Sequence, residues 1–280
     1  MFREQAVLIT GCSSGIGLAT AREAARRGHR VFASVRSPDS AAALETLPNT
    51  RVLRLDVAEP GAAPRAVGEV LAACGRLDAL VNNAGYAQYG AVEDVSAEKW
   101  RRQFEVNVFG ALELVRAALP PMRDARHGTI VNVSSVAGRV AIPFAGPYCS
   151  AKHALEAISD ALRVETAPFG IRVVVVEPGP IESNFTPRAR ALVEELLRGS
   201  GPYSPFYAGA EEAMAGEFQR GVRPAETVAR VIVRAIEAEK PRTRYRVGAM
   251  AKLFLPMRRL LPDRFFDRRF RKVLKLPAKI

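Results

Sequence analysis

Three cysteines, Cys12, Cys74 and Cys149, are all that the 280-residue chain contains. They are odd in number, widely spaced and free of any CxxC or paired Cys/His pattern, which excludes a disulfide framework and a cysteine-based metal site and makes a reducing compartment the expectation. His29, His127 and His153 lack metal-ligand spacing, so no metal is assigned. Long apolar runs are missing too. Stretches such as Val173 to Val176 fall far short of the roughly 18 to 20 residues that span a bilayer. The opening MFREQAVLIT has no apolar region followed by a small-residue cleavage site, so no secretory signal is read there. These absences point to a cytoplasmic protein, with peripheral attachment to a membrane as the alternative.

Acidic residues are scarce at one end only. From Lys240 onward there are 14 Lys and Arg against Asp263 and Asp267, whereas residues 1–239 carry 27 of each sign. A balanced body with a basic tail implies that something acidic meets the tail, rather than a generally cationic protein. The composition, 48% hydrophobic and 25% charged, is globular and sufficient for one core without staples.

Short β-branched runs alternate with longer amphipathic ones. Strands are expected at Ala6 to Thr10, Arg30 to Val35, Arg51 to Asp56, Ala79 to Asn82, Thr129 to Ser134, Arg172 to Glu177 and Arg244 to Val247. Helices are expected at Gly15 to Arg27, Ala41 to Leu47, Ala62 to Cys74, Ala97 to Met122, Tyr148 to Ala167 and Ala225 to Ala238. The strands are nearly all apolar instead of alternating, as when helices cover both sheet faces. The fold class is therefore α/β: a single-domain Rossmann-type, doubly wound parallel sheet of about seven strands with helices on both faces. The domain runs over 1–248, followed by a basic amphipathic extension at 249–280. An insertion at 184–222, including GSGPYSPFYAG, follows a strand's carboxyl end, where a substrate lid is favoured over a plain surface excursion.

In the extension, Leu253, Met257, Leu260, Leu261, Phe266, Phe270, Val273 and Leu274 recur at helical intervals, with Arg258, Arg259, Arg264, Arg268, Arg271 and Lys272 between them. Pro256 and Pro262 are expected to cut it into short pieces. Such a segment suits an anionic membrane surface and equally suits packing on the body. It carries no nucleic-acid reading motif.

The first strand runs into TGCSSGIG, residues 10–17. Glycines at 11, 15 and 17 permit a tight turn and let backbone amides approach a pyrophosphate at the N-terminus of the following helix. At the second strand's end, Val35 and Arg36 stand where a carboxylate would bond the ribose hydroxyls of an unphosphorylated dinucleotide. A guanidinium instead attracts a 2′-phosphate, so NADP(H) is favoured and NAD(H) is the alternative. Tyr148 and Lys152 form YxxxK; residues four apart share a helix face, so phenol and ammonium converge, and the cation is expected to lower the phenol pKa toward neutrality.

Taken together, the glycine turn, NNAG (Asn82 to Gly85), a strand ending in Ser134-Ser135 and YxxxK resemble the short-chain dehydrogenase/reductase family, over residues 1 to about 248. Features around VFASVR and EPGPIESNF are similar to its hydroxysteroid and retinol dehydrogenase branch. The resemblance implies a catalytic set of Ser135, Tyr148, Lys152 and Asn107. Ser135 lies thirteen residues before Tyr148, the family's usual spacing, and Asn107 would anchor a relay water. It also implies a cofactor site made by Thr10, Gly11, Ser13, Ser14, Gly15, Ile16, Gly17 and Arg36. Asp56 and Val57 would frame the adenine, with Asn83, Ala84 and Gly85 alongside. Tyr148 and Lys152 would hold the nicotinamide ribose, and Pro178, Gly179, Ile181 and Ser183 would border the nicotinamide. One departure stands out: some NADP-preferring members carry a basic residue where this chain has Ser14.

The implied activity is hydride transfer between nicotinamide and a carbonyl or secondary alcohol of an apolar steroid-, retinoid- or lipid-like molecule. Pro143, Phe144, Tyr203, Phe206 and Tyr207 are the expected pocket lining. Two other readings are a 3-oxoacyl carrier-protein reductase and a non-catalytic NADP(H)-sensing regulator. The family pairs subunits through the helices here expected at Ala97 to Met122 and Tyr148 to Ala167, which implies a homo-dimer or tetramer.

Overall fold

Strands that are nearly all apolar need cover on both sides, and the computed structural model, which describes residues 3–182, 201–216 and 221–276, shows how it is supplied. The strands are β1 (Ala6–Ile9), β2 (Arg30–Val35), β3 (Thr50–Arg54), β4 (Ala79–Asn82), β5 (Gly128–Val133), β6 (Ile171–Pro178) and β7 (Arg244–Val247). All neighbours pair in parallel, in the order β3-β2-β1-β4-β5-β6-β7. The helices are α1 (Gly15–Arg26), α2 (Ala42–Glu45), α3 (Ala62–Cys74), α4 (Ala97–Phe104), α5 (Gly110–Asp124), α6 (Gly146–Thr166), α7 (Ser204–Ala215), α8 (Ala225–Glu237), α9 (Ala249–Leu260) and α10 (Asp263–Val273).

Side-chain alternation assigns the two faces. Val7 and Ile9 of β1 enter a core shared with Ala21 and Ala24 of α1 and Val228 and Ile232 of α8. Ala6 and Leu8, one residue out of phase, enter a second core with Val67 and Val70 of α3 and Leu114 and Ala118 of α5. The chain winds from β1 outward to β3, then returns to lay β4 on the other side of β1. That reversal opens a crevice at the carboxyl ends of β1 and β4, where open α/β sheets bind ligands.

Three elements differ from the sequence reading. The expected single helix Ala97 to Met122 is interrupted by one π-turn, Glu105–Phe109. Apolar periodicity over some twenty residues does not register one extra residue in one turn. Pro256 does not break the extension but sits inside α9; the carbonyl it leaves without an intrahelical donor belongs to Lys252, an exposed residue. Pro262 does act as a break, at the N-cap of α10. Finally, the turn-rich stretch before Ala215 is largely helical, as α7.

The apolar sides of α9 and α10 rest on the body. Leu255, Phe266, Phe270 and Leu274 share a cluster with Val136, Val140 and Ala210. No helix among the described residues is long and apolar enough to cross a membrane.

Candidate active site

The β1–α1 turn is built so that backbone, not side chain, faces the crevice. Gly11 has φ +71°, and a Cβ there would lie 2.8 Å from Ala84 Cα. A Cβ on Gly17 would stand 2.2 Å from the Gly11 carbonyl oxygen, so the helix is pressed onto the turn that precedes it. Thr10 and Asn83 lock this turn to the end of β4. The Thr10 hydroxyl accepts from the Asn83 and Ala84 amides at 3.0 and 2.9 Å, and the Asn83 amide group donates to the Thr10 and Gly11 carbonyls at 2.8 and 3.2 Å. Ser14 caps α1 without a side-chain hydrogen bond, and no acidic residue lies in the first turn. Ser13 is exposed and Gly15 has φ +57°. Open amides, a positive helix end and no competing carboxylate fit a dinucleotide pyrophosphate.

Beside it, Val35 is buried and Arg36 exposed; Arg36 makes no ion pair with any described residue. Asp56 accepts from the Ala58 amide at 3.0 Å and meets Arg102 at 3.4 Å. Val57 packs so tightly on α5 that a Cβ on Gly110 would be 2.7 Å from its carbonyl oxygen. At the far side, the Gly179 amide donates to Val247 at 2.9 Å, and Ile181 bridges Arg223 and packs with Ile16 against α8. Ser183 lies outside the described residues, as do positions 184–200 and 217–220 of the expected lid.

The catalytic candidates come together past β5. Ser135 follows that strand directly; its hydroxyl accepts from the Ala137 amide at 3.1 Å and hydrogen-bonds Tyr148 in the first turn of α6. One turn on, the Lys152 ammonium is buried, donates to the Val133 carbonyl at 2.8 Å and lies 6.0 Å from the Tyr148 ring centre. The expected lowering of the phenol pKa by this cation does not occur. Burial raises Tyr148 to about 12, with the Ser135 hydrogen bond opposing. Burial lowers Lys152 to about 8, with the carboxylate of Glu156 opposing. Desolvation thus outweighs the pair attraction, because the ammonium turns to a carbonyl instead of the phenol.

Asn107 sits in the π-turn and is buried. Both ends of its amide are taken by the Tyr86 backbone: it donates to the carbonyl at 2.9 Å and accepts from the N–H at 3.1 Å. The side chain therefore anchors the loop after Gly85, and a Cβ on Gly85 would come within 3.3 Å of it.

A cavity of about 460 Å³ lies between the segment before Tyr148 and the C-terminal helices, lined by Pro143 and Phe144 together with Val140, Arg258, Phe266 and Phe270. Phe144 has φ +63°, strained backbone of the kind concentrated at functional sites. Tyr203, Phe206 and Tyr207 do not line this cavity. Tyr207 is fully buried, backs the Phe144 ring at 5.2 Å, and spends its hydroxyl on the Ala91 amide and the Asp94 carboxylate. Tyr203 bonds Glu93 instead.

The model for the short chain dehydrogenase family matches residues 5–193. The chain belongs to this family. It is 37% identical over 281 aligned residues, 96% of each protein, to the NADPH-dependent 3-dehydrocapnine reductase of Ornithobacterium rhinotracheale. It is also 34% identical to the 3-ketodihydrosphingosine reductase of Bacteroides thetaiotaomicron, covering 92% of this chain and 94% of that one. Among solved structures, a short-chain dehydrogenase/reductase of Burkholderia phymatum in complex with NAD superposes with a TM-score of 0.80 at 26% identity, over 96% of both chains. The protein is accordingly an oxidoreductase acting on CH–OH or carbonyl groups with a nicotinamide dinucleotide.

Within this short-chain dehydrogenase, one group escaped the sequence reading. Glu156 and Glu177 are buried behind Lys152, and Arg244 of β7 reaches Glu156 at 2.9 Å, Asp160 at 2.8 Å and Glu177 at 3.4 Å. Glu156 follows Lys152 by the same four residues that separate Lys152 from Tyr148, a signal present in the sequence. Nothing there marked Glu177 or Arg244. Among the described residues no cluster of His, Cys, Asp or Glu is placed to hold a metal ion.

Proposed function

We propose that the protein is an NADP(H)-dependent oxidoreductase that interconverts a ketone and a secondary alcohol on an apolar, lipid-like molecule. The observation that carries this reading is the convergence of Ser135, Tyr148 and buried Lys152 at the carboxyl end of β5. The nicotinamide supplies or accepts the hydride when bound. Everything else falls to the chain. Ser135 bonds the substrate oxygen and fixes its position. Tyr148, kept protonated by burial, donates its proton as that oxygen gains charge, and Lys152, its pKa lowered to about 8 by burial, returns one to it. Asn107 acts as a positioning residue, holding the loop after Gly85.

Thr10, Gly11, Ser13, Ser14, Gly15, Ile16, Gly17, Asn83, Ala84, Asp56 and Val57 would hold the dinucleotide, with Pro178, Gly179, Ile181 and Ser183 on the nicotinamide side. Free Arg36 in place of a carboxylate supports a 2′-phosphate, and the relative that reduces 3-dehydrocapnine is named as NADPH-dependent. An apolar substrate is supported by the lining of the cavity beside Phe144 and by a relative named for a sphingoid ketone. The described part of the 184–222 insertion, α7, backs Phe144 through Tyr207, in keeping with a lid role. We place the protein in the cytoplasm as a homo-dimer or tetramer, joined through α4, α5 and α6.

The decisive experiment screens long-chain ketones and alcohols with NADPH and NADP+, comparing wild type with Tyr148→Phe. Loss of about 10³-fold in turnover, with dinucleotide affinity within a few-fold, is expected. Equal trace activity in both proteins would overturn the enzyme assignment in favour of a dinucleotide sensor.

A further inference from the structure

The charge concentrated in the C-terminal helices is not spread around them. At about 100° per residue, Arg264, Phe265, Arg268, Arg271 and Lys272 of α10 fall within about 120° of one another, and all five are exposed. The opposite side of the helix carries Phe266 and Phe270, buried on the body. Of the two acids, Asp263 is paired with Arg258 at 2.6 Å, and Asp267 lies between the buried side and the cationic stripe. Next to it, α9 presents Lys252 with Leu253 and, seven residues on, Arg259 with Leu260; Leu253 is 61% exposed and Leu260 81%. Lys252, Arg259, Arg264, Arg268, Arg271 and Lys272 make no ion pair with any described residue.

We propose that this face docks on an anionic phospholipid bilayer. The apolar residues that helix packing needs are already buried on the body, so Leu253, Leu260 and Phe265 are not waiting for the protein's own core. Interleaved with unpaired cations, they match the boundary between lipid headgroups and acyl chains, where cations meet phosphates and apolar side chains enter a few ångströms deep. Because residues 1–239 are charge-balanced, the attraction acts on this face and orients the molecule. The stripe is convex, on the outer side of one helix, which suits a surface better than the groove that a peptide or folded partner would require.

Docking there has a consequence for the site. Phe266, Phe270, Arg258 and Arg271 line the cavity whose other wall is Val140 to Phe144, the segment that leads to Tyr148. Arg271 belongs to both the outer stripe and the cavity lining, so a docked protein keeps that cavity within one helix of the lipid, and an apolar ketone is drawn from the bilayer instead of from water. This consequence rests on the apolar-substrate reading; the docking itself does not.

The test uses the full-length protein and sedimentation with vesicles of equal parts phosphatidylglycerol and phosphatidylcholine, or of phosphatidylcholine alone. Binding to the anionic vesicles only, falling as salt rises, is expected. Arg264→Gln, Arg268→Gln and Lys272→Gln combined should weaken it about 100-fold, at about five-fold per cation, and Leu260→Ser with Phe265→Ser should weaken it independently. Both variants should keep the wild-type unfolding midpoint and the turnover of a short water-soluble ketone. Equal binding to both vesicle types, or unchanged binding by the triple variant, would overturn the proposal. So would capture of an acidic carrier protein, or self-association, that the triple variant abolishes while vesicles are ignored. Intact vesicle binding without turnover of any long-chain ketone would sink the substrate reading and leave the docking standing.

Discussion

Lys152 shows how far a residue's chemistry departs from what its neighbours in sequence imply. Its spacing from Tyr148 was legible, and the structure brings both to Ser135. Its acidity was not legible, because desolvation depends on the segments that cover it. The folded-state pKa of about 8 lies below the ordinary 10.5. Below pH 8 both folded and unfolded chains hold the proton, and folding must strip water from an ammonium; between about 8 and 10.5 the unfolded chain binds more protons, so stability from this group rises with pH. Lys152→Met is therefore expected to stabilise the fold at pH 7 by about 1–3 kcal/mol, with the gain vanishing near pH 10.5, as measured by urea unfolding at both values. A loss of stability at pH 7 would show that the bond to the Val133 carbonyl outweighs the desolvation. Arg36 is the opposite case, an exposed residue whose surroundings add nothing to what its place at the end of β2 already implies. Arg36→Glu should shift preference from NADPH toward NADH by about tenfold or more, since a carboxylate repels a 2′-phosphate and bonds ribose hydroxyls; unchanged affinity ratios by titration would remove Arg36 from the site.

At the scale of elements, the strands and most helices could be read from hydrophobic runs because each buries its own contiguous stretch. The features that escaped depend on a partner element. The π-turn at Glu105–Phe109 goes with Asn107 bonding a loop twenty-odd residues upstream, and the buried acids of α6 and β6 persist only because β7 delivers Arg244 to them. Glu177 is 1% exposed and Glu156 4% in their side chains, and burial with the nearby Glu156 raises the Glu177 pKa. Removing the guanidinium takes away the direct ion pair of Glu156 and leaves Glu177 only the longer contact with Arg246, at 3.6 Å. Arg244→Met is accordingly expected to cost about 3–5 kcal/mol in denaturant unfolding, and adding Glu156→Gln should recover part of it. A cost under about 1 kcal/mol would mean that water reaches these carboxylates freely.

For the whole molecule, the sheet order creates the crevice, and the C-terminal helices close the cavity beside it. The basic extension could be recognised as amphipathic from its sequence, yet which face it buries was undecided until α9 and α10 were seen against Val136 and Val140. Apolar side chains also stand exposed in the π-turn between α4 and α5 and on α6, the segments proposed to join subunits: Phe109 is 48% and Val164 70% exposed. Phe109→Glu with Val164→Glu should yield a monomer in sedimentation velocity without loss of folding, because neither side chain is buried within the protomer. A wild-type protein that sediments as a monomer, or a variant that still pairs, would remove this interface.

The sequence by itself determined the parallel sheet, the glycine turn and the spacing of Ser135, Tyr148 and Lys152, since each is written in contiguous residues obeying a local rule of period, turn geometry or helical repeat. Tertiary structure alone decided the protonation of the phenol and ammonium, the pairing of Arg244 with its buried acids, the withdrawal of Tyr207 from the cavity and the side of the tail that faces outward. Each of these is set by which distant segment displaces water from a group, and no local pattern encodes that displacement.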